Sequence, residues 1–154
     1  MNFNELNQNN IKEFIKYLGC ECSDDVFKII EIQNNIISNN ELVIKQKINI
    51  GNKLLIYLIE INEFFNQTKE LSEIFKIFRN ILLKGKIERD NKKFNRFRLV
   101  IIINKIGKND SFKNIKDIKN IINKFQEIFQ ELQNGKIIDE KIHLHIIEEL
   151  FNLI

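Results

Sequence analysis

Alanine, proline and tryptophan are absent from this chain of 154 residues, and glycine (5), histidine (2) and cysteine (2) are scarce. Without alanine, isoleucine stands where Ala or Leu is the usual helix former. Intrinsic propensity therefore says little, and hydrophobic periodicity has to decide the elements. Cys20 and Cys22 lie one residue apart, a poor geometry for a mutual disulfide. A reduced, intracellular (cytoplasmic) protein is the simplest expectation. No stretch approaches roughly 18 uncharged apolar residues, so no transmembrane anchor is expected. No basic segment leading into an apolar run and a cleavage site opens the chain, so no secretory signal is expected either. There is no Gly-x-x-x-x-Gly-Lys loop, Gly-x-Ser-x-Gly elbow or zinc-protease helix. No catalytic residue is assigned, and the expectation is a non-enzyme without a cofactor.

What is present fits one globular domain. Hydrophobic residues make up 44% and charged residues 29%, with a formal net charge of +3. That balance neither demands nor excludes a nucleic-acid partner. Residues 1–9 are polar and expected to fray. Ile11, Phe14, Ile15 and Leu18 fall at helical spacing, and Gly19 stands where a helix closes. Ser23, Asp24 and Asp25 predict the N-terminus of a second helix with Val26, Phe27, Ile30, Ile36 and Ile37 inward. The stretch 41–66 is harder to parse. Gly51-Asn52 breaks it, and Leu54, Leu55, Leu58, Ile61 and Phe65 follow as a helical stripe. A strand over residues 54–59 is the competing reading.

Further helices are expected from Thr68 to about Gly85, from Ser111 to Asn134 and from Asp139 onward. Between them, Leu99 to Ile103 are apolar all round. A helix without a polar side is a buried one, whereas Val and Ile equally suit a central strand. The helical reading gives an all-α, single-domain bundle of about seven helices over residues 1–154, around a buried central helix at 94–106.

Cys20, Cys22, His143 and His145 could in principle offer zinc two sulfurs and two nitrogens. Neither pair has the usual ligand spacing, and on a helix the two histidines would diverge, so no metal is expected. Residues 84–98 hold Lys84, Lys86, Arg89, Lys92, Lys93, Arg96 and Arg98 against Glu88 and Asp90, interleaved with Phe94 and Phe97. That stretch can bind phosphates, meet an acidic partner or merely be solvated.

The segment Asp90 to Gly107 resembles the first homology motif of the Bcl (B-cell lymphoma) family of apoptosis regulators. In that family an Asn-Trp-Gly-Arg tetrapeptide begins the buried central helix of an all-α fold. Lys93-Phe94-Asn95-Arg96 would occupy the tetrapeptide, with Arg96 retained and Phe94 in place of tryptophan. The family's glycine and asparagine are replaced by Asn95 and Lys93. The resemblance implies a groove that sequesters an amphipathic helix of a pro-death partner protein. Arg96 would meet that helix's acidic residue, and Phe78, Leu82, Phe94, Phe97, Val100, Leu54 and Leu58 would line the walls. The alternatives are a small all-helical nucleic-acid-binding subunit using residues 84–98, or a scaffold protein that self-associates into a homo-oligomer.

Overall fold

The computed structural model describes residues 5–19, 22–37, 42–67, 70–103 and 115–148. Its elements are α1 (Ile11–Tyr17), a 3-10 turn (Asp24–Lys28), β1 (Ile30–Ile37), β2 (Val43–Ile50), β3 (Leu54–Glu60), α2 (Ile61–Gln67), α3 (Leu71–Lys92), β4 (Arg96–Ile103), α4 (Ile115–Asn134) and β5 (Ile142–Glu148). The strands form one mixed sheet in the order β1-β2-β3-β4-β5. The first two pairings are antiparallel and the last two parallel. The protein is α/β, and the expected all-α bundle of about seven helices is not formed.

The central segment accounts for most of that correction. Residues 94–106 were expected as a buried helix, yet Arg96–Ile103 is strand β4, paired with β3 from Leu54↔Arg96 to Glu60↔Ile102. Six successive residues of β4, from Phe97 to Ile102, are buried, because the strand is covered on both faces. A strand buried on both faces reads as a continuous apolar run, as a buried helix does. Three further segments read as helical are also extended. The second predicted helix is the 3-10 turn followed by β1, the stripe from Leu54 is β3 running into α2, and the last predicted helix is β5.

The β2–β3 hairpin turns at Gly51-Asn52. Both residues have positive φ, at 64° and 55°, and Lys53 N–H bonds to the Ile50 carbonyl at 3.1 Å. A two-residue Gly-Asn pair with positive φ matches the twist of antiparallel strands. Gly51 is also fixed by packing, since a Cβ there would lie 2.8 Å from the Val26 carbonyl oxygen. The helices at 11–17, 71–92 and 115–134 do follow their predicted stripes. Gly19 closes the first of them with φ at 83°.

The sheet divides the interior into two cores. Leu55, Tyr57, Ile59, Phe97, Leu99, Ile101 and Ile142 face α2, α3 and α4 on one side. Phe125 of α4 stacks on Phe78 of α3 with ring centroids 4.2 Å apart. Both parallel crossovers lie on this face, as same-handed connections advancing in one direction require. Leu54, Ile56, Leu58, Val100, Ile102 and Ile147 face the opposite side, where Leu6, Ile11, Phe14, Ile15 and Leu18 cover them. Leu6 is held in that layer by a pair of bonds to the buried Gln46 side chain, at 2.9 and 2.8 Å. α1 has only seven residues, so it covers a limited width of its face. No described helix is long and apolar enough to cross a membrane.

Candidate anion site on the β4–β5 face

Alternation along a strand sends every second side chain to the same face. On β4 this puts Arg96 and Arg98 on the α1 side with Val100 and Ile102, and on β5 it puts His143 and His145 there with Ile147. The register pairs Arg98 with His143 and Val100 with His145. The two imidazoles, expected to diverge on a helix, have ring centroids 6.4 Å apart. A cluster of two guanidiniums and two imidazoles therefore lies beside the end of α1.

Arg98 is the unusual member. Only 4% of it is exposed, and among the described residues no carboxylate pairs with it. Its Nη1 donates to the Leu18 carbonyl at 3.3 Å and meets Nε2 of His145 at 2.6 Å. Its Nε is buried without a hydrogen-bond partner, as is Nδ1 of His143. A buried cation with an orphaned donor is costly unless an anion meets it. Arg96 is exposed, and Tyr17, the residue before Leu18, is 53% exposed.

Burial, together with Arg98 and His143, pushes His145 down to about 4, and burial with Arg98 and Arg96 also lowers His143. His145 is thus neutral in the fold, whereas the unfolded chain protonates it near the usual value of about 6.5. Between those values the unfolded state binds more protons, so stability is full above the unfolded pKa and falls with pH. Discounted for partial exposure, the loss between pH 7 and pH 5 is about 1 kcal/mol. Urea unfolding at the two pH values should register it, and His145→Leu should remove most of it. An unchanged difference in that variant would assign the acid sensitivity elsewhere.

The other basic residues of 84–98 have different fates. Lys86 pairs with Asp90 at 3.2 Å and Lys92 with Glu88 at 2.6 Å. Glu88 also binds Lys47 and the Tyr57 hydroxyl. Burial acts to raise the Glu88 pKa, and these three partners outweigh it. Arg89 is buried against Asp139 and Asp90. A cavity of about 380 Å³ opens beside that pair, between Phe94, Asn95 and Lys141. Lys84 is half-buried along α3, and Lys93 is exposed at the helix end with φ at 60°. Only Arg96 and Arg98 of the seven reach the candidate site.

The residues expected to line a helix-binding groove do not come together. Phe78, Leu82 and Phe97 lie in the core on the α2–α4 side, with the half-buried Phe94 against them. Leu54, Leu58 and Val100 lie in the core on the α1 side, across the sheet. The groove also required a central helix where β4 runs. Among the described residues no group of three His, Cys, Asp or Glu side chains is placed to hold a metal. Cys20 lies outside the described residues, and Cys22 is half-buried against the α1-side core.

The histidines were missed as a site, although Ile142-His-Leu-His-Ile146 alternates polar and apolar with a period of two. Comparison of the chain with protein-family models, with curated proteins and with solved structures gives no match in any of the three.

Proposed function

We propose that this chain is a non-enzymatic nucleic-acid-binding protein that takes a backbone phosphate between Arg98, Arg96 and the two histidines of the β4–β5 face. The observation that carries the reading is Arg98, a buried guanidinium with an orphaned Nε and no carboxylate partner among the described residues. A phosphodiester held by the exposed Arg96 and the half-buried histidines would bring its negative charge beside that guanidinium and offset the cost of burying it. Other features favour nucleic acid over a small inorganic anion. Lys53, Lys93 and Lys141 are exposed beside the starts of β3, β4 and β5, so cationic side chains continue past the site along one end of the sheet. Tyr17, adjacent in sequence to the Leu18 whose carbonyl Arg98 meets, is exposed and offers a ring for a base to stack on. No chemistry is assigned to the site, because nothing in it is arranged as nucleophile and base.

Fluorescence anisotropy with a labelled single-stranded oligothymidylate tests the reading. Binding should weaken steeply as salt rises. Arg98→Met, which replaces a buried charge by an apolar chain of similar length, should retain the fold. It should lose about tenfold in affinity, or about 1.4 kcal/mol. Arg96→Glu and Tyr17→Ala should each lose a comparable factor, whereas Lys76→Glu on the far side of α3 should change little. Absence of binding at tens of micromolar in low salt overturns the proposal. Equal losses in all four variants reduce it to nonspecific attraction, which also overturns it.

A further inference from the structure

The contact between Arg98 and His145 determines how the site must respond to an anion. A guanidinium has five N–H donors and no acceptor, so Nε2 of His145, 2.6 Å from Nη1, has to be the acceptor. The imidazole is therefore neutral and carries its proton on Nδ1. Protonating Nε2 in the free protein would point two donors at each other across that distance. A phosphate oxygen placed beside them can accept from both.

Resting on the phosphate-binding reading, we infer that ligand capture is coupled to uptake of one proton from solvent onto Nε2 of His145. The imidazole then changes from the acceptor of Arg98 to a donor toward the phosphate. Arg98 keeps its Leu18 carbonyl contact and turns its freed N–H to the same anion. The surrounding charges agree with this direction. Arg98 on β4 and His143 on β5 act on His145, and Arg98 and Arg96 act on His143, all disfavouring protonation until negative charge arrives. Asp139 opposes them weakly at His143. On α1, Lys12 pairs with Asp24, while Glu13 and Lys16 are exposed. The site is thus a pair of neutral imidazoles that gains one imidazolium, at His145, when the ligand's charge enters.

Oligothymidylate separates this inference from the reading beneath it, because neither its phosphodiesters nor its bases titrate between pH 5.5 and pH 7.5. Its affinity for the wild-type protein should rise about fivefold from pH 7 to pH 6, the linkage expected of nearly one proton. Calorimetry at fixed pH in two buffers of different ionisation enthalpy should report proton uptake directly, without a variant. His145→Gln supplies a neutral acceptor to Arg98 and should bind with a flat pH profile. No binding at any pH overturns the phosphate reading itself. Binding without pH dependence or proton uptake overturns the coupling and leaves that reading standing. A slope that persists in His145→Gln assigns the proton to another group and also overturns the inference.

Discussion

Gly85→Ala should destabilise the protein by about 2–3 kcal/mol, the opposite of what the substitution does in an ordinary helix. Glycine inside a helix costs about 1 kcal/mol relative to alanine, so an exposed Gly→Ala change there is stabilising. Gly85 is buried in the middle of α3, over the first residues of β4. A Cβ built on it overlaps the ring of Phe97, whose three outermost ring carbons are its nearest neighbours. That ring is fully buried and packs edge-on against Tyr57 at 4.9 Å between centroids. Enclosed as it is, the ring can make room only if helix and sheet separate or it leaves its rotamer. Urea unfolding of the variant should show a lower midpoint at unchanged slope. Phe97→Leu, costly on its own, should cost much less in combination with Gly85→Ala, because both relieve or create the same overlap. A neutral or stabilised Gly85→Ala would mean that α3 does not approach β4 this closely.

The same glycine illustrates where the sequence is readable. Leu71, Ile74, Phe78, Ile81 and Leu82 mark α3 by their spacing, but Gly85 looks like its end. The helix instead runs another two turns to Lys92, because Gly85 is a close-approach position and not a stop. α1 and α4 are equally legible, each with one apolar stripe and a polar back. The strands are not. In a chain without alanine, Ile fills helix and strand alike, so residue type cannot separate them. β3 and β4 are buried on both faces, which erases the period of two, and each depends on partners distant in the chain. Two local signals did exist. Gly51-Asn52 is a hairpin turn in reversed order from the familiar Asn-Gly, and His143-Leu144-His145 alternates as a strand does.

The candidate site was legible as charge and illegible as geometry. Seven basic residues in 84–98 promised a patch, but the backbone changes from helix to strand at Lys93–Arg96. Upstream of that change, Arg89 points into the fold on the last turns of α3. Downstream, Arg96 and Arg98 alternate onto the opposite face of the sheet. One charge run therefore supplies a structural ion pair and two members of the candidate site on different faces of the sheet.

That division yields the second large effect. Arg89→Ala should cost about 2–3 kcal/mol of stability. Only 5% of Arg89 is exposed, and its guanidinium donates two bonds to Asp139 at 2.9 and 2.5 Å and two more to Asp90 at 3.0 and 2.8 Å. The pair ties the end of α3 to the connection between α4 and β5, and so fixes where β5 begins. The carboxylates are about half exposed and can rehydrate when the arginine is removed, which keeps the cost below that of stranding a fully buried charge. Arg89→Lys should recover less than half of the loss, since a point charge cannot reproduce the bidentate fork. Hydrogen bonding to Arg89 holds Asp139 below the ordinary carboxylate range, so this stabilisation is present above the unfolded pKa of about 3.8 and is lost as pH falls through the lowered folded value. Acid unfolding of Arg89→Ala should consequently be less steep below pH 4 than that of the wild type. Under conditions where Arg89→Ala is folded, its affinity for oligothymidylate should stay within about twofold of wild type, against the tenfold loss expected of Arg98→Met. A comparable loss in both variants would show that the end of α3 beside Lys141 joins the binding surface, and would overturn the assignment of the ligand to the β4–β5 face alone.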